Sequence, residues 1–169
     1  MDCIIRKWKL EDAAQLAEVI NNKKVQDNLR DGIPFPYSEA DAEWFINEML
    51  NADSSNTFAF AVEADDKVVG SIAAYRGNNI HFRTAELGYY IVEPFWGKGI
   101  GTSAVNQICR YIFENTDIIR IFAEPFAYNC ASCRILEKNG FEYEGTLRSN
   151  AIKNGELFDM KMYSLIRQI

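Results

Sequence analysis

The sequence has little of what disulfide-rich, metal-binding and membrane proteins need. It contains one histidine and four cysteines in 169 residues, and only Cys130 and Cys133 are closely spaced. We therefore expect neither a disulfide framework nor a metal site. No apolar run approaches the 18 residues of a membrane-spanning helix, and no charged segment followed by an apolar one opens the chain. A cytoplasmic protein without membrane contact is the expectation.

Basic residues are in the minority. The chain has 18 Lys and Arg residues against 24 Asp and Glu residues, a formal net charge of −6. This balance argues against nucleic acid as a partner and is compatible with a cationic substrate such as an amine. Hydrophobic residues make up 48% of the chain, and a chain of this length can bury about 70% of its unfolded surface. We expect a single domain that spans residues 1–169.

Hydrophobic periodicity divides the chain into elements in the order β-α-α-β-β-β-α-β-α-β-β. A further short helix is plausible at residues 23–29, before a segment that Pro34 and Pro36 keep irregular. Ser38 and Asp41 resemble a capping box, and Asn129 is a credible N-cap. The strands are expected at residues 3–9, 57–64, 67–75, 81–92, 118–126, 141–152 and 156–166, and the main helices at residues 11–22, 39–50, 103–115 and 129–139.

A glycine-rich turn stands between the third strand of the central run and the helix after it. The stretch EPFWGKGIGT, from Glu93 to Thr102, contains three glycines in five positions. Backbone amides at such a strand-to-helix turn can hold a phosphate. The glycines also fit a dinucleotide fingerprint, but the surrounding antiparallel hairpins do not suit a doubly wound domain. A Walker A loop is excluded because Lys98 is followed by Gly99. The turn therefore predicts an anion site.

Two carboxylates and one cysteine pair are the other candidate site residues. Glu86 and Glu124 stand near the ends of the two strands that flank the glycine-turn helix, where α/β sheets bind ligands. The stretch CASC, from Cys130 to Cys133, is also typical of a thiol-redox site at a helix start. The proline that faces such a pair from a later strand is missing, since no proline follows Pro125. We therefore expect structural cysteines, and a CxxC thiol-redox protein is the remote alternative.

Three segments in combination resemble the GNAT N-acetyltransferases, most closely their RimJ/RimL-like branch. They are AELGYYIVEPFWGKGIGTSAV, NCASCRILEKNGFEYEGTL and MKMYSLI, and the order of elements matches over essentially the whole chain. The resemblance implies an α/β (α+β) fold with a mixed, mostly antiparallel seven-stranded sheet and helices on both faces. It also implies transfer of an acetyl group from acetyl-CoA to a primary amine, either a protein N-terminus or a small molecule. A non-catalytic acyl-CoA-binding module is the alternative, and the protein is expected to be a monomer or a homodimer.

The resemblance also implies a set of site residues. Glu86 or Glu124 would be the general base, with a slight preference for Glu86, and Ser132 would face the thioester sulfur. The pantetheine would lie along the strand edge near Ile91 and Val92, where an amide could polarise the thioester carbonyl. The implied cofactor-binding residues are Ile91, Val92, Gly97, Lys98, Gly99, Ile100, Gly101, Thr102, Asn129 and Ser132.

The chain departs from the family pattern at two positions, and its acceptor residues are less legible. Trp96 stands where many members have Gln or Arg, and Leu136 stands where many have a Tyr that acts as general acid. The loop DGIPFPY and the last hairpin are expected to wall the acceptor site. Phe35, Tyr37 and Tyr89 are the candidates for contacts with the acceptor.

Overall fold

The chain folds around one seven-stranded sheet. The computed structural model describes residues 1–168. Its strands follow the order β1-β2-β3-β4-β5-β7-β6, and only the β4–β5 pair is parallel. The strands are β1 (Ile4–Arg6), β2 (Thr57–Ala64), β3 (Lys67–Arg76), β4 (Thr84–Ile91), β5 (Arg120–Ala123), β6 (Glu142–Lys153) and β7 (Glu156–Ile166). The helices are α1 (Ala13–Ile20), α2 (Lys23–Gln26), α3 (Glu39–Asn51), α4 (Ile100–Asn115) and α5 (Cys130–Lys138). The predicted fold class and order of elements are confirmed.

Three predicted strands are too long. The strand predicted at residues 3–9 is reduced to β1, and Lys9 already precedes a 3-10 turn at Leu10–Asp12. The strand predicted at residues 81–92 begins only at Thr84, because Asn79–His81 form a 3-10 turn in which Asn79 has a φ of +54°. The strand predicted at residues 118–126 is reduced to β5, and Phe126 makes only an isolated bridge to Met160. The corrections to β4 and β5 leave irregular backbone at the ends of the two strands that flank α4.

Short polar residues mark the ends of several elements, including the predicted caps at Ser38 and Asn129. Asp65 and Asp66 have φ values of +51° and +56°, the left-handed pair that a two-residue hairpin between β2 and β3 requires. The Ser38 hydroxyl accepts from the N–H of Asp41, whose carboxylate accepts from the N–H of Ser38, so a full capping box opens α3. The Asn129 side chain accepts from the N–H of Ser132 and caps α5.

The sheet separates two apolar clusters. Helices α4 and α5 pack on one face, where Leu87 and Ile91 of β4 and Ile121 of β5 are buried. Helices α1 and α3 pack on the other face, against which Tyr90 is partly buried. Because neighbouring residues of a strand point to opposite faces, β4 presents Leu87, Tyr89 and Ile91 to the α4 face and Glu86, Gly88 and Tyr90 to the α1 face.

The sheet opens between β4 and β5. The two strands pair only from Thr84 opposite Arg120 to Glu86 opposite Phe122, although β4 continues to Ile91. Beyond Glu86 the side of β4 that faces β5 therefore has no strand partner among residues 1–168. This gap is the feature that the site is built around. Over the described part of the chain, no helix is long and apolar enough to cross a membrane.

Candidate active site

A cleft of about 710 Å³ passes through the gap between β4 and β5. Its lining includes the glycine turn and the start of α5 on the α4 face, and Glu86, Gly88 and Tyr90 on the α1 face. Ligand sites in α/β proteins commonly lie where neighbouring strands part in this way. The cleft therefore connects two chemically different chambers through the sheet.

The glycine turn presents a row of free donors to the cleft. From Gly97 to Thr102, no backbone N–H has a hydrogen-bond partner within residues 1–168, and the first bond of α4 runs from the N–H of Ser103 to the carbonyl of Gly99. No side chain caps this helix, which is 16 residues long. Unpaired N–H groups at the positive end of a helix dipole form an anion site. The turn therefore has the donors of an anion site.

The three glycines meet different requirements. Gly97 and Gly99 have φ values of +72° and +80°, and a Cβ atom at either position would touch nothing within 4 Å. They are needed for the left-handed backbone that turns the amides toward the cleft. A Cβ at Gly101 would lie 2.7 Å from Cδ1 of Ile135, so this glycine permits close packing of α4 on α5.

The start of α5 supplies the opposite wall of the α4 chamber. Ser132 lies in the first turn, and its Oγ is 2.9 Å from the hydroxyl oxygen of Tyr89. The Tyr89 hydroxyl also donates to the Ser132 carbonyl at 3.2 Å. Tyr89 was expected beside the acceptor, but strand alternation puts it on the α4 face. Arg134 and Lys138, which sequence reasoning missed, also line the cleft and are cations spaced one helical turn apart.

The free edge of β4 differs slightly from its prediction. The N–H of Val92 donates to the carbonyl of Val69 at 2.9 Å, so Val92 cannot offer that amide to a ligand. Bonding in an antiparallel ladder alternates, and the groups that face the gap are those of Tyr89 and Ile91. The Ile91 carbonyl accepts a hydrogen bond of 2.6 Å from Nε1 of Trp96.

Leu136, at the position of the usual tyrosine acid, is completely buried in the core.

The two predicted carboxylates do come together on the α1 face. The guanidinium of Arg30 joins them, with Nη2 2.5 Å from Oε1 of Glu86 and 3.9 Å from Oε2 of Glu124. Burial raises the pKa of Glu124, the charge of Glu86 raises it further, and Arg30 lowers it. Glu124 is thus the less well paired carboxylate of the two. Arg30 lies in the irregular segment between α2 and α3, where periodicity offered no signal for it.

The wall of the α1 chamber is only partly as predicted. Tyr37 lines the cleft and is buried, while Phe35 is 57% exposed and does not line it. Ile33, two residues earlier in the same loop, points inward and packs with Phe45 against the α1–α3 cluster. The last hairpin contributes through Met160. Because the Phe35 side chain faces solvent, the expectation that Phe35 lines the acceptor site is corrected. Ile33 lines the cleft in its place.

The cysteine pair has the environment of a structural pair. Cys133 is buried in the core under the sheet, while Cys130 is exposed. Burial raises the pKa of the Cys133 thiol, whereas a redox-active thiol needs a lowered one. Within residues 1–168, no group of three or more His, Cys, Asp or Glu side chains is arranged to hold a metal ion.

Comparisons with known proteins agree on one family. A family model described as an acetyltransferase (GNAT) domain matches residues 2–142. The uncharacterized N-acetyltransferase p20 of Bacillus licheniformis is 30% identical over 165 residues, which cover 97% of this chain and 92% of that protein. A crystal structure of a probable acetyltransferase is 30% identical, with a TM-score of 0.85 and coverage of 98% of this chain and 93% of that one. The ribosomal alpha-N-protein acetyltransferase RimL, solved in complex with coenzyme A, has a TM-score of 0.87 at 20% identity and shares the fold over 97% of this chain and 93% of its own.

Proposed function

The chain belongs to the GNAT family of N-acetyltransferases, and from that premise we propose that it moves an acetyl group from acetyl-CoA to a primary amine by direct attack on the thioester. The observation that carries the proposal is the cleft through the sheet. It joins a row of free backbone amides on the α4 face to two carboxylates on the α1 face. One chamber suits an anionic acyl carrier, and the other suits a cationic amine.

The α4 chamber would hold acetyl-CoA as the co-substrate. The N–H groups from Gly97 to Thr102 would bind the pyrophosphate. Arg134 and Lys138 would add positive charge for the remaining phosphate. The pantetheine amides would pair with the backbone groups of Tyr89 and with the N–H of Ile91, in the manner of an added strand. Coenzyme A bound to RimL, which has the same fold, supports this assignment.

The amine must lose a proton before it can attack. A lysine-type amine with a pKa of about 10.4 is neutral in fewer than about one molecule in 10³ at pH 7, and an α-amine near 8 in about one of ten. A positioned base therefore matters for either acceptor. We propose Glu124 for this role because its pKa is raised and Nη2 of Arg30 is 3.9 Å from its carboxylate, while the same nitrogen is 2.5 Å from Glu86. This assignment replaces Glu86, which the sequence analysis slightly prefers as the base, with Glu124.

The remaining residues would complete the transfer. The neutral amine attacks the thioester carbon, the carbon–sulfur bond breaks, and the nitrogen gives up one proton as the amide forms. That proton goes to the leaving thiolate, or to solvent where the thiolate departs as an anion. A free N–H of Tyr89 or Ile91 would polarise the thioester carbonyl. Ser132 would face the sulfur from the first turn of α5, and the Tyr89 hydroxyl holds its Oγ at 2.9 Å. We propose these two hydroxyl groups for the acid role, which the buried Leu136 side chain cannot fill.

An acetylation screen tests the proposal. The protein is incubated with acetyl-CoA and a panel of small amines and N-terminal peptides. Release of the CoA thiol is recorded with a chromogenic disulfide, and products are identified by mass spectrometry. Amine-dependent thiol release with a mass gain of one acetyl group is the expected result. Tight CoA binding without turnover across the panel would favour a non-catalytic acyl-CoA-binding module instead.

The wider setting is part of the same proposal. We propose that residues 1–169 act as one catalytic domain, because a single sheet holds strands from Ile4 to Ile166. We propose further that the reaction takes place in the cytoplasm and involves neither nucleic acid nor a membrane. The complete cleft within one chain is compatible with a monomer or a homodimer.

A further inference from the structure

On the α1 face of the sheet, one position in the cleft has no side chain above the backbone. Gly88 of β4 lies opposite Ala73 of β3, so a residue without a side chain stands next to one that carries a single methyl group. A Cβ atom on Gly88 would meet nothing within 4 Å, and Gly88 is exposed in the cleft. Its backbone angle is not in the left-handed region, so the strand conformation itself does not require a glycine. The missing side chain leaves space above the sheet.

Larger side chains surround this space. The neighbouring pairs of the β3–β4 ladder on the same face are Tyr75 opposite Glu86 in one direction and Ser71 opposite Tyr90 in the other. Ile33, Tyr37 and Phe45 line the cleft from the α1–α3 side. The space over Gly88 and Ala73 is therefore a slot with aromatic and aliphatic walls. Water in such a slot gains few hydrogen bonds, and an apolar group that displaces it is favoured.

One end of the slot is acidic. Glu86 stands two residues from Gly88 on the same face, a distance of about 7 Å along a strand, and Glu124 shares the contact with Arg30. Two carboxylates and one guanidinium leave a net charge of about −1, which an ammonium group would neutralise. The spacing matches a molecule whose amine and apolar group are separated by two or three bonds.

On the premise of the proposed acetyl transfer, we propose that the acceptor is a primary amine that carries an apolar group close to the nitrogen. The amine lies at Glu86 and Glu124, and the apolar group fills the slot over Gly88 and Ala73. An arylalkyl or branched alkyl amine has this chemistry, and so does a peptide whose N-terminal residue is large and apolar. A small polar acceptor, such as an N-terminal serine or ethanolamine, leaves the slot unfilled.

The test compares matched acceptors. Phenethylamine and ethanolamine are two small primary amines, and peptides that begin with Phe or Ser but are otherwise identical represent the second source. For each pair, kcat/KM is measured at several pH values and corrected for the neutral fraction of the amine. We expect the apolar member of at least one pair to exceed its polar partner by about tenfold or more, since filling an apolar pocket typically discriminates by 10–200-fold. The pair in which this preference appears identifies the source of the acceptor.

Two variants link the preference to the slot. Gly88→Val fills the space with a side chain that suits a strand, and Gly88→Ala fills less of it. The ratio of apolar to polar kcat/KM should fall in the order wild type, Gly88→Ala, Gly88→Val, by about tenfold or more overall. Ala59→Val is the matched control, because Ala59 pairs with Ala73 from β2 on the same face but does not line the cleft. CoA binding on the opposite face reports whether each variant is folded.

The outcomes separate this inference from the proposed function. Equal kcat/KM for both members of each pair, or a ratio that Gly88→Val does not change in a folded protein, would overturn the slot while acetyl transfer stands. Failure to acetylate any amine in the wider screen, with CoA still bound, would overturn the proposed function and the acceptor class together.

Discussion

Tyr89 and Tyr90 are neighbours in the sequence but serve opposite sides of the molecule. Tyr89 bonds to Ser132 at the start of α5, and Tyr90 packs toward α1 and α3. Burial raises the pKa of both phenols, so neither is a base at neutral pH. Glu86 and Gly88 lie on the same face of β4 as Tyr90. Alternation along β4 therefore divides the proposed chemistry into a thioester side and an amine side.

The exchange of each carboxylate for an amide tests the base. Glu124→Gln should lower kcat by about 10²–10⁴-fold, the usual effect of losing a positioned base, with CoA affinity nearly unchanged. Glu86→Gln should cost less and should move the acidic limb of kcat/KM to lower pH. The direction follows because the charge of Glu86 raises the pKa of Glu124, and without it the base stays ionised in more acidic solution. Steady-state rates over a pH series measure both effects.

A larger loss in Glu86→Gln, with a pH dependence that Glu124→Gln does not show, would transfer the role to Glu86. Rates close to wild type in both variants would mean that solvent accepts the proton. Calorimetric CoA binding is the control for folding in each case.

Removal of Arg30 should shift the pKa of Glu124 in the direction opposite to removal of the Glu86 charge. Its side chain is 64% exposed and touches both carboxylates, and its charge lowers the pKa of Glu124. In Arg30→Ala the pKa of Glu124 should rise, so that the acidic limb of kcat/KM moves to higher pH. KM for a cationic amine should fall, because the guanidinium no longer occupies the carboxylates. An unchanged acidic limb in a folded Arg30→Ala variant would contradict the proposed coupling to Glu124.

At the scale of elements, the glycine turn and the start of α4 act as one unit. Gly99→Ala places a Cβ on a residue with a φ of +80°, at a cost of roughly 1–2 kcal/mol in stability. We also expect CoA affinity to fall by about tenfold or more, since relaxation of the turn would misalign at least one donor to a charged oxygen, worth about 1.5–3 kcal/mol. Thermal unfolding and calorimetry measure the two effects separately.

Gly155→Ala is the matched control for the turn. Gly155 has a φ of +79° and nothing within 4 Å of its Cβ position, but it lies in the β6–β7 hairpin and does not line the cleft. Both variants should lose similar stability, and only Gly99→Ala should lose CoA affinity. Equal CoA affinity in the two variants would contradict the role of the turn.

The elements that sequence could predict are those specified by local chemistry. The turn at Asp65 and Asp66, the Asn129 cap and the glycine turn each depend on residues within a few positions. The meeting of Glu86 and Glu124 was also predictable, since parallel strands bring corresponding ends together. Arg30 was not, because an irregular loop has no period that tells which side chain turns inward. The same reason explains why Phe35 was chosen over Ile33.

At the scale of the whole molecule, the gap divides the sheet into two parts. Strands β1 to β4 lie on one side and β5 to β7 on the other, and only the short β4–β5 pairing connects them within the sheet. A ligand in the gap would contact β4 on one side and α5 on the other. Binding should therefore stabilise the folded chain as a unit, and it should do so although the net charge of −6 opposes a polyanionic ligand.

Stabilisation by CoA can be predicted in size. A ligand at one hundred times its Kd, with no affinity for the unfolded chain, adds about 2.7 kcal/mol. For a chain of this length 1 kcal/mol raises Tm by about 2–4 °C, which gives a rise of roughly 5–11 °C. Gly99→Ala should show a smaller rise at the same CoA concentration, because a tenfold weaker Kd removes about 1.4 kcal/mol of this stabilisation. A larger rise with NAD than with CoA would instead favour a dinucleotide site, and a Tm that responds only to a dithiol reductant would favour the redox interpretation of Cys130 and Cys133.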